Sequence, residues 1–486
     1  MRRVFVTNLA LVLVLNLLVK PFYILGIDAQ VQVRVGTEAY GGYAALLSLS
    51  FLLNILLDFG ITNWNTRHIA QNADRMRDQI GGILTVRALL VVLYAAALFL
   101  VALVIGYRGM QLSLLAVLVL NQALVATILY FRSNIAGAQR FAQDSLLSVL
   151  DRVLLIAICG WLLWGRSVGA PFRIEWFVLA QTFAYGITAL VAFALVVTRA
   201  GIPRLNWDRV LFRQVLRQSF PYALLVLLMT FYYRTDTVMI ERLLPDGPLQ
   251  AGIYAQGFRF FEAFNMLGFL LAGLLLPMFS RMLKMGSDIR PLTSLATRLV
   301  IAGTIVVAVL GCFYAKPIMD LRYHEHTEES AAAFAVMIWS FVAVCITYVY
   351  GTLLTASGDL RTLNWMAAGG MLLNIVLNLI LIPRYQAFGA ACAGLTTQTL
   401  TALAQVVMAS KKFRSGMAAR DLAGGMAYLP LVVLLGWVLR DQGVGLWIAS
   451  LVLGFSALLL AAICGLLPVK AIREGSWRSL FSQQVG

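Results

Sequence analysis

The chain has 486 residues, of which 61% are hydrophobic and 12% charged, with a formal net charge of +16 and a mean hydropathy of +0.84. These values exclude an ordinary soluble domain and describe an integral membrane protein. In a soluble chain such a charge would point to nucleic acid, but here it falls in loops between apolar runs, so nucleic acid is excluded as a partner and the lipid bilayer is the first one.

Apolar runs of about 20 residues recur along the whole length, so helices rather than barrel strands cross the bilayer. The expected fold is all-α, with about 14 transmembrane helices. In chain order the spans are expected near Thr7 to Asp28, Gly41 to Asn63, Ile80 to Gly106, Gln111 to Ile135, Ser145 to Gly165 and Glu175 to Thr198. They continue at Ser219 to Glu241, Ala251 to Phe279, Ser294 to Ala315, Ala331 to Ala356, Thr362 to Ile382, Gly389 to Ala409, Leu422 to Leu439 and Gly445 to Leu467. The first run follows Met1-Arg2-Arg3, is too long for a signal peptide and lacks a small-residue cleavage site, so it reads as a span. With the N-terminus inside, cytoplasmic loops and termini carry about 22 Lys and Arg against about 9 outside, which places both termini in the cytoplasm.

Two short similarities recur at nearly one offset. Phe22-Tyr23 parallels Phe231-Tyr232, and Gly41-Gly42-Tyr43-Ala44 parallels Gly252-Ile253-Tyr254-Ala255, each about 210 positions later and six spans on. The pattern predicts two parallel six-helix lobes, 1-200 and 219-410, joined by a basic cytoplasmic linker at 201-218 and followed by a helix pair and cytoplasmic tail at 411-486. Duplicated halves in a membrane protein build transporters. The longest outer loop, Lys316 to Ser330, is too short for a catalytic domain and offers no nucleophile with a matching base, so no enzyme is expected.

Charges inside the spans carry the functional argument, because each costs roughly 2.5–3.5 kcal/mol at a bilayer centre. Lys20, Arg234 and Arg259 lie on three different spans at one expected depth, about 10–12 Å below the outer surface. Arg234 and Asp236 are two residues apart and face different ways, so each needs a partner on another helix or in water. Arg259 and Glu262 are three apart and can pair directly. Lys20 precedes Pro21, which kinks the first helix near Gly26. Arg67, Arg132 and Arg298 fall near cytoplasmic span ends and read as anchors, while Arg87 and Arg152 either snorkel or line an inner vestibule. Asp58 supports the Asp58-Phe59-Gly60 turn or a neighbouring basic residue.

Several cations in a wet chamber favour an anion, and a diphosphate suits the bidentate arginine fork best. Tyr232, Tyr233, Tyr254, Phe258 and Phe261 flank that position and either stack on sugars or pack. Asp236 and Glu262 are candidates for coupling to H+ or Na+. The five cysteines are scattered singly, His68 stands beside Arg67, and His324 and His326 sit in a solvated loop, so neither metal nor cofactor is expected.

The stretches LLDFGITNWNTRHIA (Leu56 to Ala70), YYRTDTVMI, AGIYAQGFRFFE, LLLPMFSRML (Leu274 to Leu283) and SGDLRTLNWMAAGGMLLNIVLNLILIPRYQAFGAACAG (Ser357 to Gly394) carry a resemblance. With Asn374, Asn378, Pro383 and Gly389 in the last block, the chain resembles the polysaccharide-exporter and lipid-linked oligosaccharide flippase branch of the multidrug/oligosaccharidyl-lipid/polysaccharide superfamily. The resemblance implies two pseudosymmetric lobes around a central cavity plus two terminal helices. It also implies export of undecaprenyl-diphosphate-linked sugars across a bacterial inner membrane, beside a glycan polymerase or assembly machinery. Lys20 and Arg259 fall where such flippases place cavity cations, and Arg234 and Asp236 match the family's RxD. Arginine in the first two spans is sparser than in peptidoglycan-precursor flippases, which argues against that cargo. A drug/cation antiporter of the same superfamily is the alternative, disfavoured because three cations at one level would repel a cationic drug.

Overall fold

The computed structural model describes residues 17–62, 65–66, 69, 76–138, 140–165, 171–201, 209–413 and 419–467. Arg67, His68, residues 202–208 and the tail after 467 lie outside the described residues, while the second half of the linker expected at 201-218 is helical from Arg209 onward. Among the described residues the secondary structure is entirely helical. In chain order the helices are α1 (17–35), α2 (Thr37–Leu52), α3 (Met76–Val104), α4 (Met110–Gly137), α5 (Phe141–Gly160) and α6 (Ile174–Ala200). There follow α7 (Arg209–Leu243), α8 (Gly247–Lys284), α9 (Arg290–Phe313), the short α10 (Ala315–Arg322), α11 (Thr327–Ala356), α12 (Leu360–Phe413), α13 (Ala419–Asp441) and α14 (Leu446–Ile463).

Eleven of these are long and apolar enough to cross a membrane. The 54 residues of α12 would reach about 80 Å as one rod, far beyond a bilayer of about 30 Å. Its backbone breaks at Gln386 (φ 53°, ψ −134°), three residues after Pro383, so α12 supplies two spans. The chain turns so tightly there that a Cβ on Gly389 would meet the carbonyl of Leu381. With the two broken N-terminal helices α1 and α2, the expected set of spans is accounted for.

Two boundaries differ from the sequence reading. The outer loop expected at Lys316 to Ser330 contains α10, and α11 already begins at Thr327. More consequentially, α1 does not end at Asp28. A wide π turn over Tyr23–Asp28 continues into a helical segment, Ala29–Val35, that stops only at Gly36 (φ 88°). Asp28 therefore lies inside a helix, 5% exposed, and not at a membrane surface. Lys20 is fifteen residues from the end of α1, about 22 Å below it rather than 12 Å.

The chain groups into two compact units, Met1–Ala263 with Ala367–Ala390, and Phe264–Met366 with Ala391–Gly486. The first has an apolar core of Ile61, Ile80, Val86, Tyr130, Ile135 and Val196, drawn from α3, α4 and α6 and the chain after α2. The second is centred on Ile301, Ile305, Val309, Tyr428, Val432 and Leu453 from α9, α13 and α14. Within the first unit, the two glycines singled out by the repeat meet each other. A Cβ on Gly41 would strike the Pro248 carbonyl and the Gly252 amide, and a Cβ on Gly252 would strike the Thr37 carbonyl. Gln32 Nε2 adds a hydrogen bond to the Gly252 carbonyl at 2.8 Å. Backbone touches backbone there, as small residues allow between membrane helices.

Candidate functional site: a buried ion network on α1, α2, α7 and α8

Arg259 points from α8 at the π turn of α1 and at α2. Its Nε lies 3.0 Å from Asp28 Oδ2 and donates to the Tyr40 hydroxyl at 2.9 Å. Tyr40 in turn donates to Asp28 Oδ1 at 2.8 Å. Arg259 Nη1 contacts Glu262 Oε2 at 2.9 Å, and the other oxygen of Glu262 takes Arg234 Nη2 at 3.0 Å. Glu262 thus bridges two arginines, while Asp28 secures one of them. The Arg234 guanidinium lies over the rings of Phe51, 4.7 Å from its centroid, and Phe258, at 5.3 Å. This places a cation on aromatic faces, where the ring quadrupole attracts it.

Asp236, two residues from Arg234, turns the other way as its spacing requires. It accepts from Asn378 Nδ2 at 2.7 Å, Asn374 Nδ2 at 3.1 Å and the Tyr254 hydroxyl at 3.0 Å. It is 3% exposed, and among the described residues its donors are all neutral. Asn374 and Asn378, one turn apart on the first arm of α12, reach it together because residues at i and i+4 share a face.

Arg234, Arg259 and Glu262 therefore come together, and Asp236 sits beside them with Tyr254. Tyr254 is buried, stacks on Phe258 at 6.0 Å and spends its hydroxyl on Asp236, so in this conformation it packs and does not face a sugar. Phe258 in turn meets the Phe261 ring in a tilted contact at 5.7 Å. Tyr233 pairs with Tyr232 at 4.8 Å and is half-buried.

Lys20 does not join this network, and the expectation of three cations at one depth is corrected. Its charged neighbours are Arg152, Asp151 and Arg132, a level below Asp28. The physical reason is the extension of α1 past Asp28, which lowers Lys20 relative to the outer end. The two arginines that do meet are balanced by two carboxylates, so the cluster is neutral as a whole. Arg87 neither snorkels nor lines a vestibule. It is buried, 2.9 Å from Asp58, and donates to the Ala126 carbonyl at 2.6 Å. Asp58 also accepts from Thr62, as its place in the turn suggested. Arg132 pairs with Asp144 at 2.7 Å.

Sequence reasoning missed Asp28, Tyr40 and Phe51. Asp28 reads as a span end because charges commonly mark one and because Gln30 and Gln32 follow it. Tyr40 had no signal beyond its nearness to Gly41.

The polysaccharide biosynthesis protein family matches residues 6–283. No curated protein matches the sequence. Among solved structures, the lipid II flippase MurJ in an inward closed conformation shares 13% identity at a TM-score of 0.69, covering 97% of this chain and 99% of its own. The Vibrio cholerae MATE transporter VcmN shares 17% identity at 0.61, covering 85% and 97%. A Pyrococcus furiosus transporter of the MOP superfamily shares 13% at 0.56, covering 84% and 93%. At these identities the likeness speaks of fold, which is that of the superfamily, while the family match extends over more than half the chain. The chain belongs to the polysaccharide biosynthesis protein family and is a multi-pass all-α membrane protein.

Proposed function

We propose that the chain moves an undecaprenyl-diphosphate-linked oligosaccharide, an O-antigen or exopolysaccharide repeat unit, from the inner to the outer leaflet of a bacterial plasma membrane by alternating access. Both termini lie in the cytoplasm in this reading. The observation that carries it is the Arg234–Glu262–Arg259 bridge inside the membrane. Two guanidiniums sharing one carboxylate are spaced for a ligand with two adjacent anionic groups. A diphosphate replaces Glu262 by taking both forks at once, and charge-assisted hydrogen bonds of this kind offset the loss of the ion pairs. Phosphate then enters only as the bridge opens, which links headgroup binding to a change of state.

Moving negative charge outward across an inside-negative membrane is favourable by roughly 2.3 kcal/mol per charge per 100 mV. Asp236 supplies the coupling position: a carboxylate held by neutral donors gains most from a proton or a sodium ion. The lipid tail stays in the bilayer, and a glycan polymerase or assembly machinery takes the product outside.

The same observation supports a second reading. Because the arginines are neutralised, repulsion of a cationic cargo is weaker than the sequence suggests, and a drug/cation antiporter remains the alternative. Purified protein in proteoliposomes separates the two. The flippase reading expects labelled lipid-linked oligosaccharide to reach the outer leaflet faster with an imposed potential, and expects Arg234→Gln or Arg259→Gln to stop it. Uptake of organic cations without lipid movement overturns the reading.

A further inference from the structure

We infer that Lys20 and Arg152 form a second anion site, separate from the Arg234–Arg259 pair and about 12 Å nearer the cytoplasm, where the lipid-linked diphosphate is held before the upper bridge opens. The inference rests on the flippase reading and names a residue, Arg152, that the sequence left between anchor and vestibule. Three observations carry it.

The first is convergence. Lys20 and Tyr23 are three apart on α1 and share a face. The Arg152 guanidinium from α5 lies over the Tyr23 ring at 4.8 Å from its centroid and over Tyr185 of α6 at 5.7 Å. Its Nη1 donates to the Tyr185 hydroxyl at 2.9 Å. Arg152 is thus aimed at the face that carries Lys20, and the two cations act on each other electrostatically.

The second is charge balance. At the upper level Arg234 and Arg259 face Asp28 and Glu262, two against two. At the lower level Lys20 and Arg152 have Asp151 as their own carboxylate, because Asp28, which acts on Arg152 at longer range, is already paired with Arg259, and Arg132 is paired with Asp144 at 2.7 Å. Asp151 lies 3.8 Å from Arg152 Nε, a long contact, and accepts the Arg152 backbone amide instead. Among the described residues no carboxylate comes within ion-pair distance of Lys20. One positive charge is therefore uncompensated within the membrane, which is costly unless an anion arrives.

The third is donor supply. A guanidinium has five N–H groups, and only the bond to Tyr185 uses one at good length. The tyrosines fix the plane of the fork without consuming it. Fork and lysine together offer a planar bidentate donor beside a mobile point charge, the pairing that suits two adjacent phosphates.

The site takes a diphosphate, whether free in water or at the head of a polyprenyl lipid, and the lipid is the ligand assigned here. The test is equilibrium dialysis of radiolabelled inorganic pyrophosphate with the full chain in nanodiscs, with and without a polyprenyl diphosphate in the lipid. Affinity is expected to fall about tenfold or more in Arg152→Gln and in Lys20→Gln, and to recover in Arg152→Lys. Arg173→Gln, at an exposed pair with Glu175 that belongs to neither site, is expected to change it less than about threefold. Polyprenyl diphosphate in the disc is expected to compete. Lys20→Gln, at a half-buried side chain with no ion-pair partner among the described residues, keeps the test open should Arg152→Gln fail to fold. Binding that depends on Arg234 and ignores Lys20 and Arg152 overturns the inference and leaves the flippase reading standing, as does binding that the lipid fails to displace. Lysine- and arginine-dependent, lipid-competed binding in a protein that moves no oligosaccharide in proteoliposomes sustains the site and overturns the transport reading.

Discussion

Asp28 and Asp236 stand about 208 positions apart, close to the repeat offset, and each is buried on the first helix of its half. Each accepts a tyrosine hydroxyl from the following helix, Tyr40 at 2.8 Å and Tyr254 at 3.0 Å. Their remaining partners differ in kind. Asp28 meets the guanidinium of Arg259, whereas Asp236 meets the amides of Asn374 and Asn378. An ion pair is neutral as a unit, so Asp28 is a fixed counter-ion whose charge is already answered. Amides solvate a carboxylate without cancelling it, so an ionised Asp236 keeps its charge within the membrane and is eased by a proton or a monovalent cation. In the proposed reading the two positions divide between holding the network and sensing an ion.

Breaking the fixed side should have the largest effect. Arg259→Ala strips Asp28 and half of Glu262 of their partner, and uncompensated buried charge costs about 3–5 kcal/mol. Thermal unfolding in detergent should show a strongly destabilised protein, with export lost in cells. Arg259→Met combined with Asp28→Leu removes both charges, so stability should return while export does not. If the double variant exports normally, the arginine is a structural brace only. Next comes the glycine contact that holds α2 against α8. Gly252→Val places a side chain on the Thr37 carbonyl, so these helices must separate. Single cysteines placed beside it on α2 should then gain accessibility to a water-soluble maleimide, and transport should fall about tenfold or more for a change that touches no charge.

Asp236→Asn is expected to be milder in folding and specific in function. The amide fits a pocket already built of neutral partners, so stability should change by less than about 1 kcal/mol. Stimulation of flipping by a proton gradient, a sodium gradient or a potential should disappear, with a slower unstimulated rate left. Destabilisation equal to that of Arg259→Ala would erase the distinction between the two aspartates.

The sequence carried the helical class and the spans because bilayer thickness and hydropathy are local properties, readable along the chain. It also carried the divergence of Arg234 from Asp236, since 100° per residue settles that two neighbours at i and i+2 cannot share a face. What it did not carry is who answers whom across helices. The π turn at Tyr23–Asp28 has no plain sequence signature, yet it carries Asp28 inward and lowers Lys20, which undid the single ring of cations. Likewise Asn374 and Asn378 were visible as a motif, but their attachment to Asp236 needs the first arm of α12 set beside α7, and that is a tertiary fact.

A water-exposed counterpart shows what the membrane adds to such pairs. In the turn between α11 and α12, Asp359 accepts from Lys412 Nζ at 2.8 Å and, less directly, from the Thr362 amide at 3.4 Å. The lysine hydrogen bond, then that of Thr362, holds the Asp359 carboxyl below the usual carboxylate range. A carboxyl whose folded value is depressed stabilises the fold above its unfolded value, near about 4, and that stabilisation is lost as pH falls through the lower folded value. Because both groups are open to solvent, the whole contribution should stay under about 1 kcal/mol and shrink in salt. Lys412→Ala should therefore shift unfolding only slightly at neutral pH and leave no difference from the parent once the pH has fallen below the depressed folded value. The same deletion made at Arg259 should act several times more strongly, since water can answer the charge left behind on Asp359 and cannot reach the one left on Asp28.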